Sequence, residues 1–331
     1  MATNDVFYPN GFSLTELTAA INLLPHVPSQ LGDAGLFDYQ GVSTLTVQIE
    51  RQGRVLDLVG SKPRGSSGSP IGRDTRDLRS FVLPHLPIDD HVLADEVQGV
   101  RAFGVENGPT PLQQRVMEVM NRGRQRLEKT LEWQRVGAMK GLVYDADGTT
   151  VLYNFFTEFG VTQNTMDFEL DSSTTQVRVK CSQALDKIED ELDGVSFTGT
   201  IGYCGRTFWE YLISHQSVKE TYLNWQEAAT LRGDPSDSFE FGGVRWVKYR
   251  GAANGSQMIG ANDAYIVPTG VSGLLLGRFG PADYNETVNT IGLPIYAKGM
   301  EKRNGKGWDI EMQSNPMHFC TRPRSIIKAT V

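Results

Sequence analysis

GWDIEMQSNPMHFCTRP, residues 307–323, stands close to the end of the sequence, and the few residues after it still include Ile326, Ile327, Ala329 and Val331. Chain ends ordinarily fray into polar tails because little holds them. An end that stays apolar is expected to be packed. Its partner, and the purpose of the polar QSNP step within it, are the questions this sequence poses.

Length and composition set the frame. A chain of 331 residues is long enough for about two domains and a real core. Apolar residues make up 39% and charged residues 21%, ordinary for a globular protein. No run approaches the roughly 18 apolar residues of a membrane helix. MATNDVFYPNGF shows neither a basic start nor an apolar core, so no secretion signal is read there. Three dispersed cysteines, Cys181, Cys204 and Cys320, suggest buried thiols in a reducing compartment, not a disulfide framework. The net charge of −7 argues against a protein whose main task is gripping nucleic acid. Against that background, residues 51–79 hold seven basic side chains (Arg51, Arg54, Lys62, Arg64, Arg73, Arg76, Arg79) and three acidic ones.

Residues 13–24 predict a short amphipathic helix with Ser13 and Glu16 as a capping box. Prolines and a glycine-rich exit follow, so this part reads as an arm with little to bury. VSTLTVQI (42–49) alternates as a half-buried strand, and RVLDLV (54–59) predicts a second. The Gly/Ser-rich run 60–72 cannot build a core, and strand character returns at 78–86. Together these predict an extended hairpin with a pliable tip. A two-stranded ribbon is marginal alone, and no nearby segment offers itself as a support.

Residues 111–140 predict the dominant helix, with Thr110 as N-cap and Pro111 at the first helical position. Leu112, Val116, Val119, Met120, Leu127, Leu131 and Met139 form its apolar stripe. Arg115, Glu118, Arg122, Arg124, Glu128, Lys129, Glu132 and Arg135 cover the remaining face. Thirty residues make a beam of about 45 Å, with Gly123 and Gly137 as its weak points. A hairpin turning at Asp147-Gly148 is expected next. An α+β block follows, with helices at 177–192, 206–215 and 218–232 and strands at 197–204, 238–250, 262–268 and 273–279.

Motifs that carry chemistry are weak. DADG (145–148) lacks the remaining ligands of a calcium loop and reads as a turn. Gly199, Gly202 and Gly205 follow a strand and precede a helix, but their spacing is not the dinucleotide fingerprint. His318 and Cys320 share one strand face, with no third group to orient a base. Metal-ligand spacing is absent. Trp209, Tyr211, Trp225, Trp246 and Tyr249 read as core or interface aromatics. No cofactor or metal is expected, and no catalytic residue is assigned. What the chain offers instead is a protruding ribbon, a beam, an arm and segregated charge, which are devices for contacting copies of itself.

Trp308 to Pro323, WDIEMQSNPMHFCTRP, resembles the C-terminal strand–turn–strand of the major capsid protein E family of lambda-like tailed phages. The order of parts agrees over nearly the whole length, with scattered further matches such as Gly277-Arg278. The resemblance implies an α+β, Hong Kong 97-type phage capsid fold with N-terminal arm, extended loop, peripheral domain with long spine helix, and axial domain. The implied boundaries are 1–41 for the arm, 42–95 for the extended loop and 96–165 for the first peripheral part. The axial domain would span 166–284 and the closing peripheral strands 285–331. Gln313-Ser314-Asn315-Pro316 would redirect the strand, since Pro316 cannot donate to a ladder. The final strands would pair with those after the spine helix.

The resemblance further implies a virion protein, assembled in the host cytoplasm into pentamers and hexamers of an icosahedral shell around packaged DNA, with no membrane partner. Portal, scaffolding and decoration proteins are expected partners, scaffolding as a separate chain because no long helical segment precedes the arm. The basic ribbon would lie on an acidic surface of the next subunit. Asp186, Glu189, Asp190, Glu191 and Asp193 are candidates, as are Asp89, Asp90, Asp95 and Glu96. The rival readings are a tail-tube or scaffold protein, or a hydrolase using Cys204 or Cys320.

Overall fold

The computed structural model describes residues 13–24, 29–52, 76–97, 111–219, 221, 238–253, 255–303 and 305–331. The first half runs α1 (Leu14–Leu23), α2 (Gln30–Asp33), β1 (Asp38–Gly41), β2 (Thr46–Gln52), β3 (Arg76–Val82), β4 (Leu86–Leu93), α3 (Ala94–Val97) and α4 (Pro111–Lys140). Next come β5 (Leu142–Tyr144), β6 (Val151–Asn154), α5 (Phe155–Phe159), β7 (Thr165–Asp167), α6 (Val177–Leu192), β8 (Gly199–Cys204) and α7 (Arg206–Ser214). The chain closes with β9 (Ser238–Phe241), β10 (Val244–Lys248), β11 (Ala252–Ala253), β12 (Ser256–Gln257), β13 (Asp263–Thr269), β14 (Leu275–Phe279), β15 (Tyr296–Glu301), β16 (Gly307–Ser314), β17 (Pro316–Cys320) and β18 (Ile327–Thr330).

The beam is real: α4 is one unbroken helix of 30 residues. Its expected cap, Thr110, lies outside the described residues, as do most of the helix expected at 218–232 and Trp225. Gly123 and Gly137 are points of close approach, not breaks. A Cβ on Gly123 would stand 2.3 Å from Met312 Cε, and one on Gly137 would stand 2.9 Å from Val143 Cα and 3.0 Å from the Leu142 carbonyl oxygen. The chain leaving α4 turns at Gly141, at φ +80°, and folds back over the helix there. Alanine gains about 1 kcal/mol of helix propensity over glycine, whereas overpacking costs about 1–3 kcal/mol. At Gly137 the obstacle is backbone, so Gly137→Ala is expected to lose about 1–2 kcal/mol. Gly123→Ala meets the pliable end of a methionine and should lose less. Urea midpoints of the two variants check the order.

The arm buries more than its composition suggests. Ser13 caps α1, accepting from Glu16 N at 3.4 Å and donating to Glu16 Oε2 at 2.8 Å. Leu17 and Ile21 then pack with α4, β15 and β16. Thr18 and Asn22 of α1 cover the free edge of β15. The Thr18 hydroxyl accepts from Ala297 N at 3.2 Å, and Asn22 Nδ2 donates to the Ile295 carbonyl at 2.9 Å. Beyond α1, Leu31 and Phe37 are also buried, and β1 runs parallel to β14. Isolated apolar residues among glycines carry no period, so the sequence hides them.

The ribbon is antiparallel, from Thr46 opposite Val82 to Gln52 opposite Arg76. The strand expected at 54–59 and the tip 60–72 lie outside the described residues. Among the described residues no segment near in sequence supports the ribbon, but at its base a remote one does. Val47, Ile49 and Phe81 are buried, and Phe81 meets Tyr153 and Phe155 at 5.9 and 6.1 Å between ring centroids. The Tyr153 hydroxyl donates to the Val82 carbonyl. At the turn of the supporting hairpin, Asp147 accepts from Thr149 and Thr150, as DADG predicts for a turn. Hydrogen bonding from Thr150 first, then from the two backbone amides, holds its carboxyl far below the usual range.

The packed C-terminus has different partners from those expected. β5 and β6 pair only with each other among the described residues. β16 lies between β15 and β4, β17 pairs with β14, and β18 pairs with β13 and β7. The physical reason is shared alternation. Ile310 and Met312 fall on one face with Ile88 and Val92, and that face lies on α4 and α1. The final strand leaves this region and enters the six-stranded sheet β7-β18-β13-β8-β10-β9, where Ile327 and Ala329 join a core under α6 and α7. Trp209 and Trp246 are buried in that core and Tyr249 in the neighbouring one, while Tyr211 is exposed.

QSNP is the point where one chain passes from the β15-β16-β4 sheet into the β1-β14-β17 sheet. Its polar side chains are buried and act on the 280–294 loop. Gln313 Oε1 accepts from Asp283 N at 2.9 Å, Ser314 Oγ donates to the Pro294 carbonyl at 2.6 Å, and Asn315 Nδ2 donates to the Pro281 carbonyl at 2.6 Å. Buried polar groups are tolerated when bonded in this way.

Candidate assembly surfaces

Of the seven basic ribbon residues, Arg54, Lys62, Arg64 and Arg73 lie outside the described residues. Arg51 and Arg76 are placed on β2 and β3, where Arg51 stands opposite Asp77 in the register. Arg79 reaches Glu158 of α5 at 3.8 Å, with both side chains more than 40% exposed. A pair of that kind contributes little. The ribbon's base also presents Leu45 and Val82 to solvent, each 65% exposed.

The acidic candidates separate into two groups. On β4, Asp90 faces Arg122 of α4 at 3.9 Å, and Asp89 sits across from Glu311 on the outward face. Asp95 and Glu96 are on α3, and Glu96 is bound by Arg115 at 2.7 Å. That hydrogen bond holds the Glu96 carboxyl below its usual range. On α6, Glu191 is bound by Arg324 at 2.7 Å. Glu96 and Glu191 are therefore occupied within the subunit. Asp186, Glu189, Asp190 and Asp193 are exposed, and none forms an ion pair with another described residue. They crowd the C-terminal half of a helix with no basic residue in its last turn. That end of the helix dipole favours cations, and Arg322 supplies one by donating to the Leu192 carbonyl at 2.8 Å, while the four carboxylates stay open to solvent.

Sequence reading placed Glu128, Glu132 and Arg135 on the polar face of α4, yet all three are buried. Glu132 is a junction. Its carboxylate accepts from Leu31 N (2.9 Å), Gly32 N (3.2 Å), the Tyr249 hydroxyl (3.0 Å) and Arg135 Nη1 (3.2 Å). Arm, spine and sheet meet there. Arg124 binds Glu128 at 2.7 Å and donates to the carbonyls of Ile21 and Leu24, closing the end of α1. Periodicity offers no signal for these; the only hint is carboxylates spaced among arginines on one helix.

The thiols sit in apolar surroundings. Burial pushes Cys181 and Cys320 up to about 12 and Cys204 well above its ordinary value. The thiolate is the nucleophilic form. His318 Nδ1 faces Gln134 at 3.3 Å.

A sheet-and-spine architecture with the C-terminal strand threaded back through both halves is now in place. Residues 13–331 match the model of phage major capsid protein E. The chain belongs to that family. The chain is similar to the major capsid protein of Pseudomonas phage KPP10, 29% identical, with 96% of this chain and 97% of the relative aligned. The major capsid protein of Salmonella phage Felix O1 is 25% identical, over 96% and 95%. Among solved structures, the capsid of Myoviridae phage XM1 aligns over 93% of this chain and 94% of its own at 10% identity and TM-score 0.52. The capsid of an empty GTA particle aligns over 93% and 92% at 10% identity and TM-score 0.56. These likenesses establish the Hong Kong 97-type fold. The chain is thus a capsid protein of the tailed-phage kind, a subunit that assembles with its own copies into a virion shell.

Proposed function

We propose that this subunit forms pentamers and hexamers of an icosahedral shell, built in the host cytoplasm around packaged DNA, and that it has no catalytic role. The observation that carries the reading is the β2–β3 ribbon. Its register carries Arg51 and Arg76 on the paired strands, above a base that leaves Leu45 and Val82 exposed, and the sequence between them is rich in basic residues. Such a device needs a neighbour to cover it. The exposed carboxylates Asp186, Glu189 and Asp190 of α6, with Asp193 at its end, supply the matching charge, and we favour them over the Asp89–Glu96 group, part of which is already bound. Rim pairs contribute about 0–1 kcal/mol each, so they set register and encounter rate more than affinity. The net charge of −7 disfavours adsorption of DNA phosphate to the inner wall. Portal, scaffolding and decoration proteins complete the proposed partner set, and the buried thiols fit a protein that does not use them.

Reversing Arg73 and Arg76 to glutamate is expected to leave a soluble subunit that builds no shells in negative-stain micrographs. Adding Glu189→Lys and Asp190→Lys should restore assembly if α6 is the partner. Rescue by Asp89→Lys and Asp90→Lys instead would move the contact to β4. Normal shells from the first variant at moderate salt would remove the ribbon's charge from the assembly mechanism.

A further inference from the structure

His318 lies on β17, between the β1-β14-β17 sheet and α4, and is 2% exposed. Its Nδ1 stands 3.3 Å from Gln134 Oε1, which is a hydrogen bond when Nδ1 carries the proton. Nε2 is then a bare lone pair, buried with no partner. Phe37, Tyr39 and Phe279 meet the imidazole edge to face, at 5.4, 5.9 and 6.3 Å. The same three rings stack in series, Phe37 on Tyr39 and Tyr39 on Phe279. The ladder formed by the arm and β14 therefore leans on one neutral imidazole.

The surrounding charges leave no place for a second cation. From α4, Arg135 donates to the Tyr39 hydroxyl at 2.6 Å and lies over its ring, 5.7 Å from the centroid. Glu132, also on α4, pairs with Arg135 at 3.2 Å, and its oxygens already serve the three other donors described above. On β14, Gly277 stands opposite His318, while neighbouring Arg278 is engaged with Asp38 of β1 at 3.5 Å. Tyr39 is the titratable ring of β1, and on β17 itself Cys320 is a neutral thiol.

We propose that His318 is a proton-operated latch holding Phe37–Gly41 against the spine helix: closed when the ring is neutral, released when it takes a proton. This goes beyond the shell-subunit reading and does not depend on it. Burial, and secondarily Arg135, keep the enclosed ring from protonating until well below its ordinary range. Once released, the ring titrates near its free value of about 6.5. The open state therefore binds more protons than the closed one below about pH 6.5, so the latch is at full strength above that pH and weakens as pH falls toward the closed-state value.

Amide hydrogen exchange on the full chain, corrected for intrinsic rates, tests this between pH 7.5 and 5.0. Opening of Phe37–Gly41 should rise by up to about tenfold per pH unit below about 6.5, while β8 and β13 change far less. In His318→Gln the arm's slope should vanish. An equal slope in β8 and β13, or a slope retained in His318→Gln, overturns the latch. If the variant fails to fold, the wild-type comparison between segments decides alone.

Discussion

Glu132→Ala is expected to destabilise the subunit by about 3–5 kcal/mol, the usual cost of removing one partner from a buried ion pair. The carboxylate is 5% exposed and serves four donors. Without it Arg135, 7% exposed, keeps the Tyr39 hydroxyl but loses its counter-charge. Two backbone N–H groups at the start of α2 and the Tyr249 hydroxyl are left without an acceptor. Burial, followed by the Glu132 charge, drives the Tyr249 hydroxyl far above its usual range, so it stays a donor that needs an acceptor. Each unsatisfied buried group adds about 1–3 kcal/mol in isolation, but the groups share one site and their costs do not add. Glu132→Gln keeps the shape and one acceptor oxygen and should fall between wild type and alanine. Pairing Glu132→Ala with Arg135→Met should recover part of the loss, since the stranded cation goes too. Urea midpoints measure the stability, and exchange at Leu31 and Gly32 reports whether the arm lets go first. An alanine variant within 1 kcal/mol of wild type, on the order of a surface change, would show that the junction does not hold these parts together.

Much of the architecture was legible in the sequence because it rests on local periodicity. The stripe from Leu112 to Met139 predicts the spine, and the two alternating runs around a Gly/Ser tip predict the ribbon that β2 and β3 form. The apolar end at Ile326–Val331 predicts packing, and β18 is packed. Partner choice was not legible. Alternation tells which side of a strand is buried and not which strand lies beside it, so it could not correct the expectation that the final strands pair with those after the spine helix, where β16 in fact lies between β15 and β4. Buried charge was hidden for the complementary reason. Glu128, Glu132 and Arg135 look like a solvated helix face until Leu31, Tyr249 and Ile21 arrive from elsewhere in the chain. The charged residues proposed for assembly are legible only as runs. Whether a carboxylate is open or already taken depends on an arginine remote in sequence, as Arg115 is for Glu96 and Arg324 for Glu191.

The glycines of TGTIGYCG should give a graded and steep response to alanine, with Gly199 near neutral, Gly202 costly and Gly205 failing to yield a stable subunit. None of the three has a backbone angle reserved for glycine, so space alone decides. A Cβ on Gly199 would stand 3.5 Å from Thr269 Oγ1, an ordinary contact, and alanine removes some unfolded-chain entropy there. On Gly202 it would stand 2.5 Å from Trp246 Cε3. That indole cannot retreat. It is fully buried, donates to the Phe241 carbonyl at 3.2 Å, and is flanked by Phe168 and Phe208 at 5.7 and 5.8 Å. Overpacking of this kind costs about 1–3 kcal/mol. On Gly205 the Cβ would fall 2.0 Å from the Gly260 carbonyl oxygen and 2.8 Å from that of Ala261. The 260–263 loop is pinned against this segment, because Gly205 N donates to the Asp263 carbonyl and Phe208 N to that of Ala261, at 2.8 and 2.9 Å. Relief would require breaking those bonds and displacing β13 from the centre of its sheet, so the expected loss exceeds about 3 kcal/mol. Soluble yield and urea midpoints rank the variants. A phosphate-cradling role would give a different pattern, with stability kept and binding lost. If Gly205→Ala proves as stable as Gly199→Ala, close packing is not the reason for these glycines.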